Sequence, residues 1–285
     1  MSTSSSPRRG VDLSRVSLGR RMRERFSEPS MLRAIQRRAQ PAEVLRRDAL
    51  DEMGDFAFGR AEIGERLIAG DFAHGVERMR STATAMWSTS EPSPSFAADL
   101  HGFGWLADLE ALGDAEARRF AGAAFRSWRA ATPGYAPIPW RADVATRRLR
   151  AWLLHGRLIG SGPGRAEGAT DVRGRSSGRD DEAFAKAIWA HGDWLLRRQS
   201  ELPAGRDRLR AAAVATAATL MIDGWISRLP AAATALETAL RTGLAADGAP
   251  LSRSPADAFE AFVDLRLVSA LFEAAREPLP EPVET

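Results

Sequence analysis

Apolar positions recur along most of this chain at spacings of three and four, the period of a helix that buries one face. Phe96, Leu100, Phe103, Leu106 and Leu109 form one such stripe, with Ser95 as N-cap and Gly113 as stop. Asp114 opens the next helix, which sets Phe120, Ala124 and Trp128 on one side and closes at the Thr132-Pro133-Gly134 turn. Beyond the proline-rich bend 133–139, Asp143 caps a helix whose buried stripe is Val144, Leu149, Trp152, Leu153 and Leu158. Nearer the start, one helix is expected from Ser30 towards Asp51, broken at Pro41, and another from Arg60 to Ala69, stopped by Gly70.

Residues 161–180 lose the pattern: five glycines, three serines and scattered charges leave little to pack, so a mobile loop is expected there. Helices resume at Asp181 with Phe184, Ile188, Trp189 and Leu195. The alanine-rich stretch from Arg206 to Ile226 reads as a central helix that its neighbours approach closely. Pro230 suits the first turn of a helix ending at Gly243. Ser254-Pro255-Ala256-Asp257 supplies an N-cap, an N1 proline and a first-turn acid for the last helix, which ends near Arg276. The fold class is therefore all-α, built of antiparallel helical hairpins. Periodicity leaves two arrangements open, a bundle and a partial (α/α) toroid. The expected organisation is a basic disordered arm over 1–28, a helical domain over 29–276 and a tail over 277–285.

Composition narrows the classes. With 44% hydrophobic residues among 285, the chain can bury a large core, and without cysteine it has no disulfide, thiolate metal site or cysteine nucleophile. A pI of about 10.3 suggests nucleic acid, yet the formal charge is only +3 and 39 of the 40 basic residues are arginine, whose high pKa inflates the pI. Twelve arginines against four acids lie at or before Arg47, leaving 28 basic and 33 acidic residues for the rest. A nucleic-acid domain concentrates positive charge on its folded body, so no nucleic-acid partner is expected. Nor is a membrane partner, because no run of about 18 apolar residues occurs. The Arg8-Arg9 pair lacks the apolar stretch of an export signal. Cysteine usage leaves the compartment open.

Three ordered stretches carry a resemblance. Leu100-His101-Gly102-Phe103-Gly104-Trp105-Leu106, preceded by Gly59 to Phe72, is similar to a "G…A…LLAGxF" then "LHxFxWL" pattern. Trp140-Arg141-Ala142-Asp143-Val144 through Arg147-Arg148-Leu149 to Trp152-Leu153-Leu154-His155 is close to "WRPDVTxRRLxAWLxH". Asp247-Gly248-Ala249-Pro250-Leu251-Ser252-Arg253-Ser254-Pro255 is similar to "DGGHxSRSP", and Phe259 to Leu267 to "LExLxDLxxLR". Over residues 55 to 276 the chain thus resembles the N-terminal toroid portion of the heparinase II/III family of polysaccharide lyases. The resemblance implies an (α/α) toroid, an acidic polysaccharide of the uronic-acid class as partner, and a long β-rich domain that would have to come from a separate chain. It places the compartment in the periplasm, whereas the absence of an export signal points to the cytoplasm.

β-Elimination on a uronate needs a group that neutralises the carboxylate, a base for the C5 proton and an acid for the leaving oxygen. The supply is one tyrosine, Tyr135, and four histidines, His74, His101, His155 and His191. Tyr135, in the bend between two helices, and His155, ending the second motif, are the catalytic candidates. Against these stand a half-buried packing tyrosine and a histidine complementing a helix dipole. His101, Trp105, Trp140, Arg147, Arg148 and Trp152 are the substrate-binding candidates, since arginine grips carboxylates and tryptophan stacks on sugar faces. The competing reading makes Trp152 core and pairs Arg148 with a buried acid such as Asp143. His74 reads as a turn residue and His191 as an ordinary helix position. No histidine pair has metal spacing, and no glycine-rich phosphate loop follows a strand, so neither metal nor cofactor is expected. Pro250 stands where the family stretch has histidine and offers no titratable group. The chain is expected to be an impaired lyase-like binder or, alternatively, a non-catalytic helical interaction module.

Overall fold

The computed structural model describes residues 27–40, 59–90, 93–159, 176–280 and 283. Among these lie ten α-helices and one two-stranded sheet, so the protein is mostly helical. The elements are α1 (Glu28–Arg38), α2 (Ala61–Ile68), β1 (Asp71–His74), β2 (Glu77–Arg80), α3 (Pro94–Leu100), α4 (Leu106–Leu112) and α5 (Ala115–Ala131). They continue as α6 (Ala142–His155), α7 (Ser176–Arg198), α8 (Arg206–Met221), α9 (Leu229–Gly243) and α10 (Pro255–Ala275). The expected basic arm lies outside the described residues up to position 26. Glu28, placed at its edge, instead opens α1, where its buried carboxylate meets Arg198 of α7. No described helix is long and apolar enough to cross a membrane.

Local signals set several termini. The Asp114 side chain accepts from Ala117 N at 2.7 Å and the Ser254 hydroxyl from Asp257 N at 3.3 Å, each satisfying a backbone donor that the first helical turn leaves open. Helix α8 carries no buried side chain larger than leucine or methionine and packs against α6, α7, α9 and α10. Alanine along it sets the short interaxial distances such packing needs. One hydrophobic cluster runs from Leu32 to Phe272.

Four expectations need correction. The single helix expected from Ser95 is two, α3 and α4, separated by the turn 101–105, and its cap is Ser93, which accepts from Phe96 N at 3.1 Å. The break sits at Phe103, whose φ of 58° is a left-handed conformation held because its ring is fully buried among Trp87, Trp105, Trp128 and Trp152. Asp143 does not cap α6. It lies in the first turn and binds Arg141, the cap residue, through both oxygens at 2.6 and 2.8 Å. Of the loop expected over 161–180, residues up to 175 lie outside the described ones, and from Ser176 the backbone is already helical. Once Phe184 and Ile188 are packed, each further residue extends α7 at the cost of one residue's ordering per hydrogen bond gained.

The fourth is the β-hairpin, where no strand was expected. Gly75, at φ 59°, and Val76 make its two-residue loop between His74 and Glu77, with glycine in the first central position as a type II′ turn requires. Phe72 and Met79 pair across the strands and turn inward. Close backbone approach fixes how this corner packs: a Cβ on Gly64 would lie 2.5 Å from the Asp108 carbonyl oxygen of α4. Gly64→Ala is therefore expected to lower stability by about 1–3 kcal/mol, read as a fall in the thermal unfolding midpoint.

Candidate functional site

Helix α6 carries the second motif, and most of its notable side chains point into the core. Arg148 is fully buried; its Nε donates to His191 Nε2 at 3.0 Å, and its two terminal nitrogens donate to the carbonyls of His101 and Pro139 at 2.9 and 2.7 Å. Its guanidinium lies 4.6 Å from the Trp128 ring centre, 5.4 Å from Trp140 and 5.7 Å from Trp152. Ring faces and carbonyls thus replace the carboxylate that Arg148 was expected to find, and Asp143 pairs with Arg141 and Arg147 instead. Burial, with the charge of Arg147 behind it, pushes the Arg148 pKa down to about 9.

The surrounding histidines are neutral by construction. Trp128 Nε1 donates to His101 Nδ1 at 3.1 Å, and His191 Nδ1 lies 2.7 Å from the Ala187 carbonyl while Nε2 accepts from Arg148. Burial, reinforced by Arg148, pushes His101 down to about 3 and His191 well below its ordinary value. Trp140 and Trp152 are core residues at 2% and 1% exposure, and Trp140 stacks on His191 at 4.5 Å. In this conformation His101, Trp140, Arg148 and Trp152 offer no surface to a ligand.

The two catalytic candidates pack against different neighbours. His155 is buried at the C-terminal end of α6, where its Nδ1 meets Glu110 of α4, which also binds Arg157. Burial alone would push the Glu110 carboxyl up, but hydrogen bonds from His155 and Arg157 outweigh it and hold the carboxyl below its usual range. Tyr135 lies in the bend before the other end of α6 and packs 6.0 Å from Trp194 of α7.

Among the recesses on the outside of this core, two lie beside residues of the first and second motifs. The larger, about 870 Å³, is a cleft between the hairpin, α2, α3 and α4. Ile63, Leu67, Phe72, Phe96, Leu100 and Trp105 line it together with Arg60, Arg66, Arg78, Arg80, Asp71, Asp99 and Asp108. Trp105, anchored by its Nε1 donating to the Leu100 carbonyl at 3.1 Å, is the one aromatic substrate candidate that reaches a cavity. Arg80 pairs with Asp71, and Arg78 donates to the carbonyls of Gly75 and Glu77; Arg66 and Arg78 form no ion pair with a carboxylate of the described residues, while the charge of Arg60 acts on Asp108. Burial raises the Asp108 carboxyl even though the Arg60 backbone N–H binds it at 2.9 Å.

The smaller recess, about 200 Å³, lies between α6 and α8 and is lined by Asp143, Thr146, Arg147, Arg206, Asp207 and Arg210. Pro250 abuts it beside Arg206, Arg210 and Asp257, so the second and third motifs do converge. The acids around Pro250 are paired within the fold: Asp264 binds Arg150 and Arg210, and Asp257 binds Arg206 at 2.9 Å. Arg147 joins the two recesses, with its guanidinium 3.8 Å from Asp99 and 3.7 Å from Asp143. Of the residues lining the cleft, sequence reasoning singled out Trp105 as a binding candidate; it missed Arg60 and Arg66, at the cap and in the last turn of α2, and Arg78 of the hairpin, which had not been expected. No group of histidines and acids among the described residues has the arrangement of a metal site. Comparison with models of known families, with curated proteins and with solved structures finds no match to this chain.

Proposed function

We propose that this chain is a helical scaffold that binds acidic saccharides of the uronic-acid class in the cleft between the hairpin and α2–α4, without cleaving them by β-elimination. One observation carries the reading: a recess of about 870 Å³ whose floor is formed by the largely buried Trp105 and Phe96 and whose lining includes Arg66 and Arg78, neither of which pairs with a carboxylate among the described residues. That size falls within the range of small-molecule sites, about 300–1,000 Å³. Arginine is the side chain that pairs with a planar carboxylate through two parallel hydrogen bonds. The engagement of His155 by Glu110 and the proline at position 250 argue against the elimination chemistry of the lyases that the motifs resemble. The same motifs favour reading α5–α10 as an open arc of an (α/α) toroid, and the succession of packed neighbours α6 on α7 and α8, then α8 on α9, supports that arrangement.

The experiment is calorimetric titration with galacturonate and heparin oligosaccharides, using a neutral glucan as control. Replacing Arg66 or Arg78 with alanine is expected to weaken uronate binding about tenfold each, the value of one charge-assisted hydrogen bond, and raising the salt concentration should weaken it further. Equal binding of the neutral glucan, or affinity indifferent to both substitutions, would sink the proposal.

A further inference from the structure

Beside the same cleft, which Asp99 lines, three polar side chains stand in a row. His74 ends β1, and its Nε2 lies 3.1 Å from the Ser95 hydroxyl while its Nδ1 lies 3.3 Å from Asp99 Oδ2. Ser95 and Asp99 are four residues apart on α3, so one helical turn sets both on one face, and the hairpin brings the imidazole between them. The edge of the Phe96 ring meets the imidazole at 6.4 Å and 86°, and Arg147 reaches the other oxygen of Asp99 at 3.8 Å. Neighbouring Ser93 is committed elsewhere, capping α3 and donating to Glu77 at 2.7 Å. Ser95 is exposed, and the His74 and Asp99 side chains retain 38% and 48% of their accessible surface, so the row faces solvent.

The polarity of the row is specific. With the Nδ1 proton directed at the carboxylate, Nε2 presents its lone pair to the hydroxyl, which is the order in which a carboxylate orients a histidine base to activate a serine. We propose that Ser95, His74 and Asp99 form a hydrolytic site for carboxylic esters, with Ser95 as nucleophile, His74 as general base and Asp99 as the residue that positions His74. Ser95 Oγ bonds to the ester carbonyl carbon as its proton passes to His74 Nε2. The tetrahedral adduct then expels the alcohol oxygen, which takes that proton and leaves as the alcohol. Water, giving a proton to the same nitrogen, adds to the acyl-serine; collapse releases the carboxylic acid and returns the proton to Ser95. An ester-linked acyl group on a sugar held in the cleft is the substrate that follows from the proposed function. That identity rests on the binding reading; the serine chemistry does not.

The test uses the full chain with p-nitrophenyl acetate and, separately, a fluorophosphonate probe followed by peptide mass mapping. Expected are nitrophenolate release above the buffer rate, a phosphonate adduct on Ser95, and loss of both in Ser95→Ala. His74→Gln should slow turnover at least about 100-fold, and Asp99→Asn should lower kcat while leaving KM nearly unchanged. Ser95 is exposed, so Ser95→Ala keeps the fold, which circular dichroism checks, and this variant decides even if His74→Gln folds poorly. Absence of turnover and label, or turnover that survives Ser95→Ala, overturns the proposal. The acetate ester carries neither sugar nor charge, so a negative result beside intact uronate binding counts against the triad alone, and the reverse counts against the saccharide reading alone.

Discussion

Truncating Trp152 to alanine is expected to cost about 3–5 kcal/mol of unfolding free energy, as large aromatic deletions in packed cores do. The ring is 1% exposed and meets Phe103, Phe125, Trp128, Phe184 and His191 edge-on, at centre distances from 4.6 to 5.9 Å. It also forms one wall around the Arg148 guanidinium, so the deletion exposes a caged cation as well as opening a cavity. Urea midpoints of wild type and Trp152→Ala measure the difference. A loss near zero would mean that the tryptophan lies on a surface, as a sugar-stacking residue would.

A second large effect is expected from mild acid. His101 and His191 are neutral in the folded chain, with pKa values pushed down by burial and by Arg148, to about 3 for His101. In the unfolded chain each takes up a proton below its ordinary pKa of about 6.5. The unfolded state therefore binds more protons, and stability falls as pH drops below about 6.5, by about 1.4 kcal/mol per pH unit for each histidine. From pH 7 to pH 5 the two together remove about 4 kcal/mol. The carboxyls held low by hydrogen bonds, Glu110 and Asp143 among them, titrate further down, whereas Asp108, raised by burial, gains its proton sooner in the folded chain and offsets part of the loss. In His191→Gln the loss over the same interval should halve. A flat stability profile between pH 7 and 5 would show that neither ring is held neutral in the native state.

What could be read from the sequence follows from what is local. The caps at Asp114 and Ser254, the stop at Gly113 and the buried stripe of α6 are set by residues within a turn or two of one another, and spacing reveals them. The break at Phe103 is invisible to periodicity, because the apolar stripe continues through it and only the distant rings of Trp87, Trp128 and Trp152 hold its backbone at positive φ. Each strand of the hairpin has only four residues, too short an alternation to stand out. Residues of the second motif were recognisable as special, yet pattern alone could not tell a caged arginine from one that grips a ligand. Both choices put Arg148, Trp152 and His155 on one side of α6, and their separation from solvent depends on the turn 101–105, α4, α5 and α7 closing over them. The cleft was less legible still, since it joins Arg60 and Arg66 to Arg78 and Trp105 across breaks in the chain.

The central claim is that the arginine-lined cleft, and not the aromatic core behind it, receives an acidic sugar. A crystal structure of the chain with a galacturonate oligosaccharide tests this most directly. The account predicts density in the cleft, with a uronate carboxylate against Arg66 or Arg78 and a sugar ring near Trp105, and with Arg148 still caged. Density at Tyr135 or His155, or a sugar stacked on an unburied Trp140 or Trp152, would contradict it.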